Sequence, residues 1–117
     1  MDDTPFVSKK FQKELNAGTA SLVLLSVLSR SKEPMYGYRI AKLLEETSPG
    51  VPMKQGSLYP VLRSLEENSL LVSTVEPSVS GPPRRYYKIT DEGRKCLIEW
   101  TGIWSQTKNF VDANLKG

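Results

Sequence analysis

The feature that most constrains the fold of this chain is a change in the spacing of its apolar residues after Asn68. Two short runs beyond that point, "LLVSTVE" (Leu70 to Glu76) and "RRYYKIT" (Arg84 to Thr90), are rich in β-branched and aromatic residues and follow the two-residue period of a strand. The segments on either side repeat with a helical period instead. Because only the turn-forming "PSVSGPP" separates the runs, the sequence predicts one β-hairpin with a longer loop inside an otherwise helical chain.

Three helices are predicted before the hairpin, after a loose tail at residues 1–8. The first is apolar nearly all round in its second half, which is typical of a helix at the centre of a core. The second is amphipathic and ends at the turn-forming "SPG". The third starts between Gln55 and Ser57, because Pro60 lacks an amide hydrogen and is tolerated only in a first helical turn or at a local kink. The predicted helices cover residues 9–32, 36–48 and 56–68. A short extended piece is predicted before the third helix, at residues 51–55.

One long helix is predicted after the hairpin. Thr90 is a good N-cap, Asp91 and Glu92 suit the positive end of a helix dipole, and no proline follows. The resulting order of helix, helix, short strand, helix, strand, loop, strand and long helix is that of a winged helix-turn-helix domain. We therefore predict a mainly α fold with a small β-hairpin, in which residues 1–90 form the winged helix-turn-helix domain and residues 91–117 form a C-terminal dimerisation helix.

The composition excludes several classes of function. The chain has no histidine, which rules out nucleophile systems and general bases built on histidine, and most of its carboxylates suit a solvated helix face. The single cysteine, Cys96, has no partner for an internal disulfide, in agreement with a reducing compartment. No apolar run is long enough to span a bilayer, and the first residues do not resemble a secretory signal. We therefore expect a cytoplasmic protein that is not an enzyme and has no cofactor, metal or membrane partner.

A winged helix places its third helix in the major groove of DNA and its hairpin, the wing, near the adjacent backbone. The third helix offers hydrogen-bond donors that could contact DNA, but any amphipathic helix has polar residues on its outer face. On this helix alone, DNA binding and an ordinary solvated face are therefore equally favoured. The wing favours DNA, because Arg84 and Arg85 follow two prolines that suit an exposed tip rather than a central strand. The donors of the third helix are Lys54, Gln55, Ser57, Tyr59 and Arg63.

The last helix carries an apolar stripe of its own. Leu97, Trp104 and Val111 are seven residues apart, and two further residues flank this stripe on each side. Because three helices and a hairpin already close a core, this stripe predicts a homodimer interface, to which the first helix contributes. Two tryptophans one turn apart also suggest a flat pocket for a planar or cationic ligand, although periodicity alone favours plain packing. The flanking residues are Trp100, Ile103, Thr107 and Phe110.

Three segments, "MYGYRIAKLLEE", "GSLYPVLRSLEENSLL" and "GPPRRYYKITDEGR", closely resemble the signatures of PadR-family transcriptional regulators in order and spacing. The resemblance covers Leu15 to the C-terminus. It implies a homodimer that binds an inverted-repeat operator in double-stranded DNA through the wing and the third helix. The DNA-binding residues carried over by position are Tyr36, Ser57, Tyr59, Gly81, Arg84 and Arg85, to which the pattern of the third helix adds Lys54, Gln55 and Arg63.

The single terminal helix resembles the short subclass of the family, which includes multidrug-sensing repressors with a central pore. In those repressors a tryptophan of the last helix stacks on planar drugs. The matching position here is Trp104, and Trp100 is an addition. The resemblance thus implies a repressor released by a planar aromatic or multidrug-like effector at the dimer interface, and it leaves the effector open. The alternative is a winged-helix module that binds protein rather than DNA, which a net charge of only +3 permits.

Overall fold

The computed structural model describes residues 5–47 and 55–117 of this 117-residue chain. The third helix, both hairpin strands and the long last helix lie where the sequence predicts them, which confirms the mainly α winged helix-turn-helix fold with a long C-terminal helix. No helix within the two described ranges is long and apolar enough to cross a membrane. The elements are α1 (Phe6–Ser29), β1 (Met35–Tyr36), α2 (Gly37–Thr47), α3 (Gln55–Glu67), β2 (Leu71–Glu76), β3 (Arg84–Ile89) and α4 (Asp91–Leu115).

The structure corrects the sequence prediction at the start of two helices. α1 begins at Phe6 rather than Lys9, because the carbonyl of Pro5 accepts hydrogen bonds at 3.0 Å from the amides three and four residues further on. The residues just after Pro5 are therefore helical and do not belong to a loose tail. Tyr36, predicted as the first residue of α2, lies in β1 instead, since its backbone pairs with β3, and α2 starts at Gly37.

The sheet is antiparallel, in the order β1-β3-β2, so β3 is its central strand. The sequence pattern missed β1. The extended piece predicted at residues 51–55 overlaps α3 at Gln55, and its other residues lie outside the described ranges. In the ladder, Tyr36 lies opposite Tyr86. Alternation along β3 turns Tyr87 into the core, where it is 5% exposed, and leaves Tyr86 half-buried on the other face, which confirms that one tyrosine packs inward.

The core lies between the second half of α1, the helices α2 and α3, and the inner face of the sheet. This position of α1 agrees with its sequence, which is apolar nearly all round in that half. The start of α4 adds partly buried side chains, including Cys96, Leu97 and Trp100. The first half of α1 lies outside the core, with Phe6 and Phe11 exposed. The side chains that are fully buried are Leu24, Leu25, Ile40, Leu58, Leu62 and Leu71.

Thr90 joins the wing to α4 and fixes the start of that helix. Its hydroxyl accepts a hydrogen bond from the Gly93 amide at 2.9 Å and donates one to the Ser69 carbonyl at 2.8 Å, so it caps the helix as predicted. Gly93 is buried, and a Cβ atom there would overlap the carbonyl oxygen of Leu70, directly before β2. Only glycine therefore lets α4 approach the base of the wing this closely.

We predict that Gly93→Ala destabilises the protein by about 1–3 kcal/mol, because the new methyl group must displace either the Leu70 carbonyl or α4. Gly102→Ala is the matched control on the same helix, since no described atom lies within 4 Å of its ideal Cβ position. The control should stabilise the protein by up to about 1 kcal/mol through helix propensity. Urea denaturation followed by circular dichroism measures both free energies of unfolding. Equal stability of Gly93→Ala and the wild type would contradict the close approach.

Candidate nucleic-acid interface

Four parts of the fold converge on one cleft at the surface: β1, the start of α2, the first turns of α3, and the wing from its tip to the start of β3. We call it the wing cleft. Its volume is about 540 Å³, and none of the residues that line it is acidic. Tyrosine hydroxyls and arginine guanidinium groups are hydrogen-bond donors, so the cleft suits an anionic group. The lining residues are Tyr36, Gly37, Tyr38, Tyr59, Ser80, Pro82, Pro83, Arg84 and Arg85.

Tyr59 packs against the start of α2 and lines the wing cleft there. An added Cβ at Gly37 would come within 2.6 Å of the Tyr59 ring, so the ring rests directly on the glycine. Gly37 is buried, whereas Tyr59 remains 40% exposed. The glycine of the "YGY" segment therefore lets a tyrosine from α3 lie flat against α2 with part of its ring open to the cleft.

Arg84 stacks on an aromatic cluster at the edge of the wing cleft. Its guanidinium carbon lies 4.5 Å from the centre of the Tyr36 ring. The Tyr36 ring in turn meets Tyr86 edge to face, with centroids 5.4 Å apart, and stacks on Tyr38 at 6.3 Å. A guanidinium that lies over a ring keeps the N–H groups in its own plane available. Arg84 is thus held in place and can still donate to a phosphate.

Arg85 points to the opposite face of β3 and makes different contacts. Its Nη1 atom donates a hydrogen bond to the Ser73 hydroxyl at 2.9 Å. That hydroxyl donates to the Glu66 carboxylate on α3 at 2.5 Å. The two adjacent arginines of the wing therefore have different surroundings. Arg84 packs on the Tyr36 ring, whereas Arg85 belongs to a chain of hydrogen bonds that leads to α3.

Tyr87 lies beneath this polar chain. Burial raises the pKa of Tyr87, and the nearby Arg85 guanidinium opposes that rise. The charges of Glu66 and Arg63 on α3 also act on the phenol, in opposite directions. The phenol is therefore neutral near pH 7, and the charged groups around it belong to both the wing and α3.

The structure brings four of the nine predicted DNA-binding residues together at the wing cleft. These are Tyr36, Tyr59, Arg84 and Arg85. Ser57 and Arg63 are exposed on α3 outside the cleft lining, and Gly81 forms the wing tip with a positive φ of 99°. Gln55 is the first residue of α3, whereas Lys54 lies outside the described residues.

Sequence reasoning missed Ser73 and Glu66 as residues of this surface. Alternation along β2 places Ser73 on the same face as the buried Leu71, so a polar residue at an inward position was the available signal. The sequence predicts a solvated helix face for most carboxylates, and Glu66 is an exception. It is half-buried, because α3 turns it toward the sheet.

A second cavity of about 500 Å³ lies between α1 and α4, and we call it the helix groove. Trp100 is half-buried beside the core, whereas Trp104 is 40% exposed at the groove. Among the described residues that line it, Glu14 is the only ionisable one, and it pairs with Lys10 at 3.9 Å. The lining residues are Glu14, Leu15, Gly18, Thr19, Ser21, Leu22, Trp100, Ile103, Trp104 and Thr107.

The predicted dimer residues divide between the core and the surface. Leu97 packs against the core of its own chain, as the first turns of α4 do in general. Further along α4, Ile103, Phe110 and Val111 are 54%, 70% and 45% exposed, and Thr107 is exposed as well. The second half of α4 therefore presents an apolar face that nothing in the described chain covers.

Comparison with known proteins identifies the family. The family model of PadR-like transcriptional regulators matches residues 24–99. A PadR family transcriptional regulator from Eggerthella lenta DSM 2243 is 36% identical, with a TM-score of 0.79 over 93% of this chain and 92% of its own. A PadR-like regulator from Bacillus cereus ATCC 14579 is 30% identical, with a TM-score of 0.70 over 89% of this chain and 98% of its own. A PadR family regulator from Clostridium difficile R20291 is 31% identical, with a TM-score of 0.66 over 83% and 98%. With the winged helix, the wing cleft and these matches in agreement, the chain belongs to the PadR-like family of transcriptional regulators.

Proposed function

We propose that this chain is a dimeric transcriptional repressor that binds an inverted-repeat operator and is released by a planar aromatic molecule at its dimer interface. Regulation of transcription through DNA binding is the activity of the family. The observation that carries the proposal is the wing cleft, where tyrosines and arginines from four elements converge and no described lining residue is acidic. The role as a repressor rests on the resemblance to the short PadR regulators.

The proposed DNA contacts use α3 for the bases and the wing cleft for the backbone. The start of α3 presents amide donors and the exposed side chain of Ser57, as an α-helix in a major groove requires. The wing cleft flanks it, so a phosphate beside the groove would meet Arg84 and tyrosine hydroxyls. The residues assigned to DNA are Tyr36, Lys54, Gln55, Ser57, Tyr59, Arg63, Gly81, Arg84 and Arg85.

The proposed dimer joins the second half of α4 to the first half of α1 of another copy, with residues 91–117 as the dimerisation element. Both segments expose large apolar side chains, and a monomeric soluble protein rarely carries such continuous patches. A two-fold pairing would bury both faces at once, and it would relate the two wings by the same symmetry as the half-sites of an inverted repeat. The exposed apolar residues are Phe6, Val7, Phe11 and Leu15 on α1, and Ile103, Trp104, Phe110, Val111 and Leu115 on α4.

The proposed effector site is the helix groove, with Trp100 and Trp104 as its aromatic wall. The groove is large enough for a planar molecule of drug size, and its lining is mostly apolar. The exposed ring of Trp104 offers a stacking surface. Since Glu14 is the only ionisable residue of the described lining, a planar cation fits the groove better than an anion.

The second candidate function is a winged-helix module that binds protein. The specific observation in its favour is the exposed apolar face of α4, which a different protein would cover as well as a second copy. The two candidates differ at the wing cleft, which only DNA binding requires.

We predict that replacing Arg84 and Arg85 together by Ala weakens binding to the DNA upstream of the gene that encodes this chain. The slope of log affinity against log salt concentration should become less steep by about one or two for each protomer. Each phosphate that a cation neutralises contributes about 0.9 to that slope. Gel-shift titrations at several salt concentrations measure both quantities.

Lys116→Ala is the control for that experiment. It removes one positive charge, against two in the double arginine variant, near the other end of α4, about 37 Å along the helix from the wing. It should leave affinity and slope close to wild type. Unchanged affinity of the double arginine variant would refute the role of the wing in DNA binding and favour the protein-binding module.

We predict that Phe110→Glu weakens the dimer, because it introduces a charge into the apolar face of α4. Sedimentation velocity over a range of concentrations should show the monomer appearing at concentrations at least about tenfold higher than for the wild type. Asn109→Glu adds the same charge at a position about 100° away around the helix, and it should leave the dimer intact. A wild-type protein that sediments as a monomer would refute the interface.

We predict that a planar aromatic cation such as ethidium quenches the fluorescence of Trp104. The Trp100→Phe variant leaves Trp104 as the only tryptophan, so its emission reports on the groove alone. Trp104→Ala should abolish the quenching while Trp100→Phe retains it. If titrations with a broad panel of cationic and neutral planar aromatics are all flat, the tryptophans serve only to pack the interface.

A further inference from the structure

We propose that Arg85, Ser73 and Glu66 form a latch that holds the wing against α3, and that Arg85 acts on DNA by positioning the wing rather than by contacting phosphate. Arg84 is then the phosphate-binding arginine of the pair. The inference rests on the proposed DNA-binding function and assigns different roles to two residues that are adjacent and chemically identical in the sequence. It makes Ser73 and Glu66 positioning residues for DNA recognition.

The latch is a continuous hydrogen-bond chain with opposite charges at its two ends. The Arg85 guanidinium donates to the Ser73 hydroxyl at 2.9 Å, and that hydroxyl donates its own hydrogen to the Glu66 carboxylate at 2.5 Å. Each group therefore plays the role that its chemistry allows, and the chain polarises in one direction. Because Arg85 is on β3, Ser73 on β2 and Glu66 on α3, it connects both strands of the wing to the third helix.

The register of the sheet explains why these side chains meet. Ser73 lies directly opposite Tyr87 in the β2-β3 ladder, and Arg85 lies opposite Val75. Ser73 and Arg85 are therefore diagonal neighbours on the inner face of the hairpin, within reach of a long side chain. Glu66 is in the last turn of α3 and is turned toward the same face, since it is half-buried there. A shift of one residue in the register would send Ser73 to the outer face and break the chain.

Apart from the aromatic cluster around Arg84 and Tyr86, the wing has little else to fix it in this position. Between Leu71 and Tyr87 no side chain is buried, and Val72, Val75 and Val79 are exposed. A two-stranded hairpin without a buried face is marginally stable in water. The latch lies just beyond Tyr87, where the buried part of the wing ends. It is thus placed where a hinge between the core and the wing would otherwise be.

The two arginines also differ in what they leave available to DNA. Arg84 lies over the ring of Tyr36, a contact that occupies the face of the guanidinium and leaves its N–H edge free. Arg85 is linked through Ser73 to a carboxylate, which compensates its charge. Arg84 therefore suits a phosphate contact, and Arg85 suits the internal bond.

The first experiment measures the latch without DNA, by hydrogen exchange of the backbone amides in the free, full-length protein. Ser73→Ala removes the central hydroxyl, and Ser73→Thr restores it on a residue that favours strands. Thr74→Ala is the matched control, because Thr74 is the next residue of β2 and faces the other way. We expect faster exchange of wing amides in Ser73→Ala by about fivefold, as for the loss of one hydrogen bond, and wild-type rates in the other two variants.

The second experiment is a double-mutant cycle on binding to a duplex of mixed sequence, with Ser73→Ala, Arg85→Ala and both together. If Arg85 acts through Ser73, each single change lowers affinity by about fivefold and the double change costs little more. The salt slope of Ser73→Ala stays at the wild-type value, because the variant keeps every cation. Arg84→Ala, in contrast, makes the slope shallower by about 0.9 for each phosphate that Arg84 neutralises.

The outcomes separate this inference from the function on which it rests. Wild-type exchange rates in Ser73→Ala would overturn the latch, whatever happens with DNA. Additive losses in the cycle, with a slope for Arg85→Ala as shallow as that for Arg84→Ala, would overturn the positioning role and make both arginines phosphate contacts. A wild-type protein without salt-dependent affinity for DNA would refute the proposed function, while the exchange rates would still decide whether the latch holds the wing.

Discussion

The central strand β3 is the element on which the rest of the structure depends. It pairs with β1 on one side and β2 on the other, so its residues can face only inward or outward, in strict alternation. Tyr87 and Ile89 face the core and fix the sheet on α1 and α3, whereas Arg84 and Tyr86 face the aromatic cluster. The same alternation separates the two wing arginines. One strand thus supports the core and the wing cleft, and determines how each arginine is used.

The sequence predicted the parts of the fold that follow from local physics. Strand period identified the hairpin, and the N-cap chemistry of Thr90 located the start of α4. The start of α3 at Gln55 agrees with the prediction, although Pro60 lies inside the helix rather than in its first turn. The prediction failed where tertiary pairing decides the conformation. Tyr36 precedes a strongly amphipathic helix, and only the free edge of β3 draws it into a strand. No local pattern carries that information.

The candidate DNA-binding site could be predicted from the sequence about as well as the fold. Residue type and resemblance pointed to Tyr36, Tyr59 and the wing arginines, and the structure does bring these together in one cleft. The different environments of Arg84 and Arg85 were not predictable, because they depend on which strand pairs with β3 and on where α3 ends. The packing of Leu97 was not predictable from the sequence either. Its heptad spacing suits a dimer interface, but the first turns of α4 lie on the core of the same chain, and Leu97 packs there.

The junction at Thr90 determines how an effector in the helix groove would act on DNA binding. α4 is joined to both ends of the hairpin: it continues from β3 through Thr90, and at the other end the Thr90 hydroxyl donates to Ser69 while Gly93 lies on the carbonyl of Leu70, both before β2. A displacement of α4 therefore moves both strands of the wing together rather than bending one against the other. A ligand beside Trp104 changes DNA affinity only by as much as its own affinities for the two positions of α4 differ. Under the proposed function, an effector that only fills the groove, without favouring one position of the helix, would leave DNA affinity unchanged however tightly it bound.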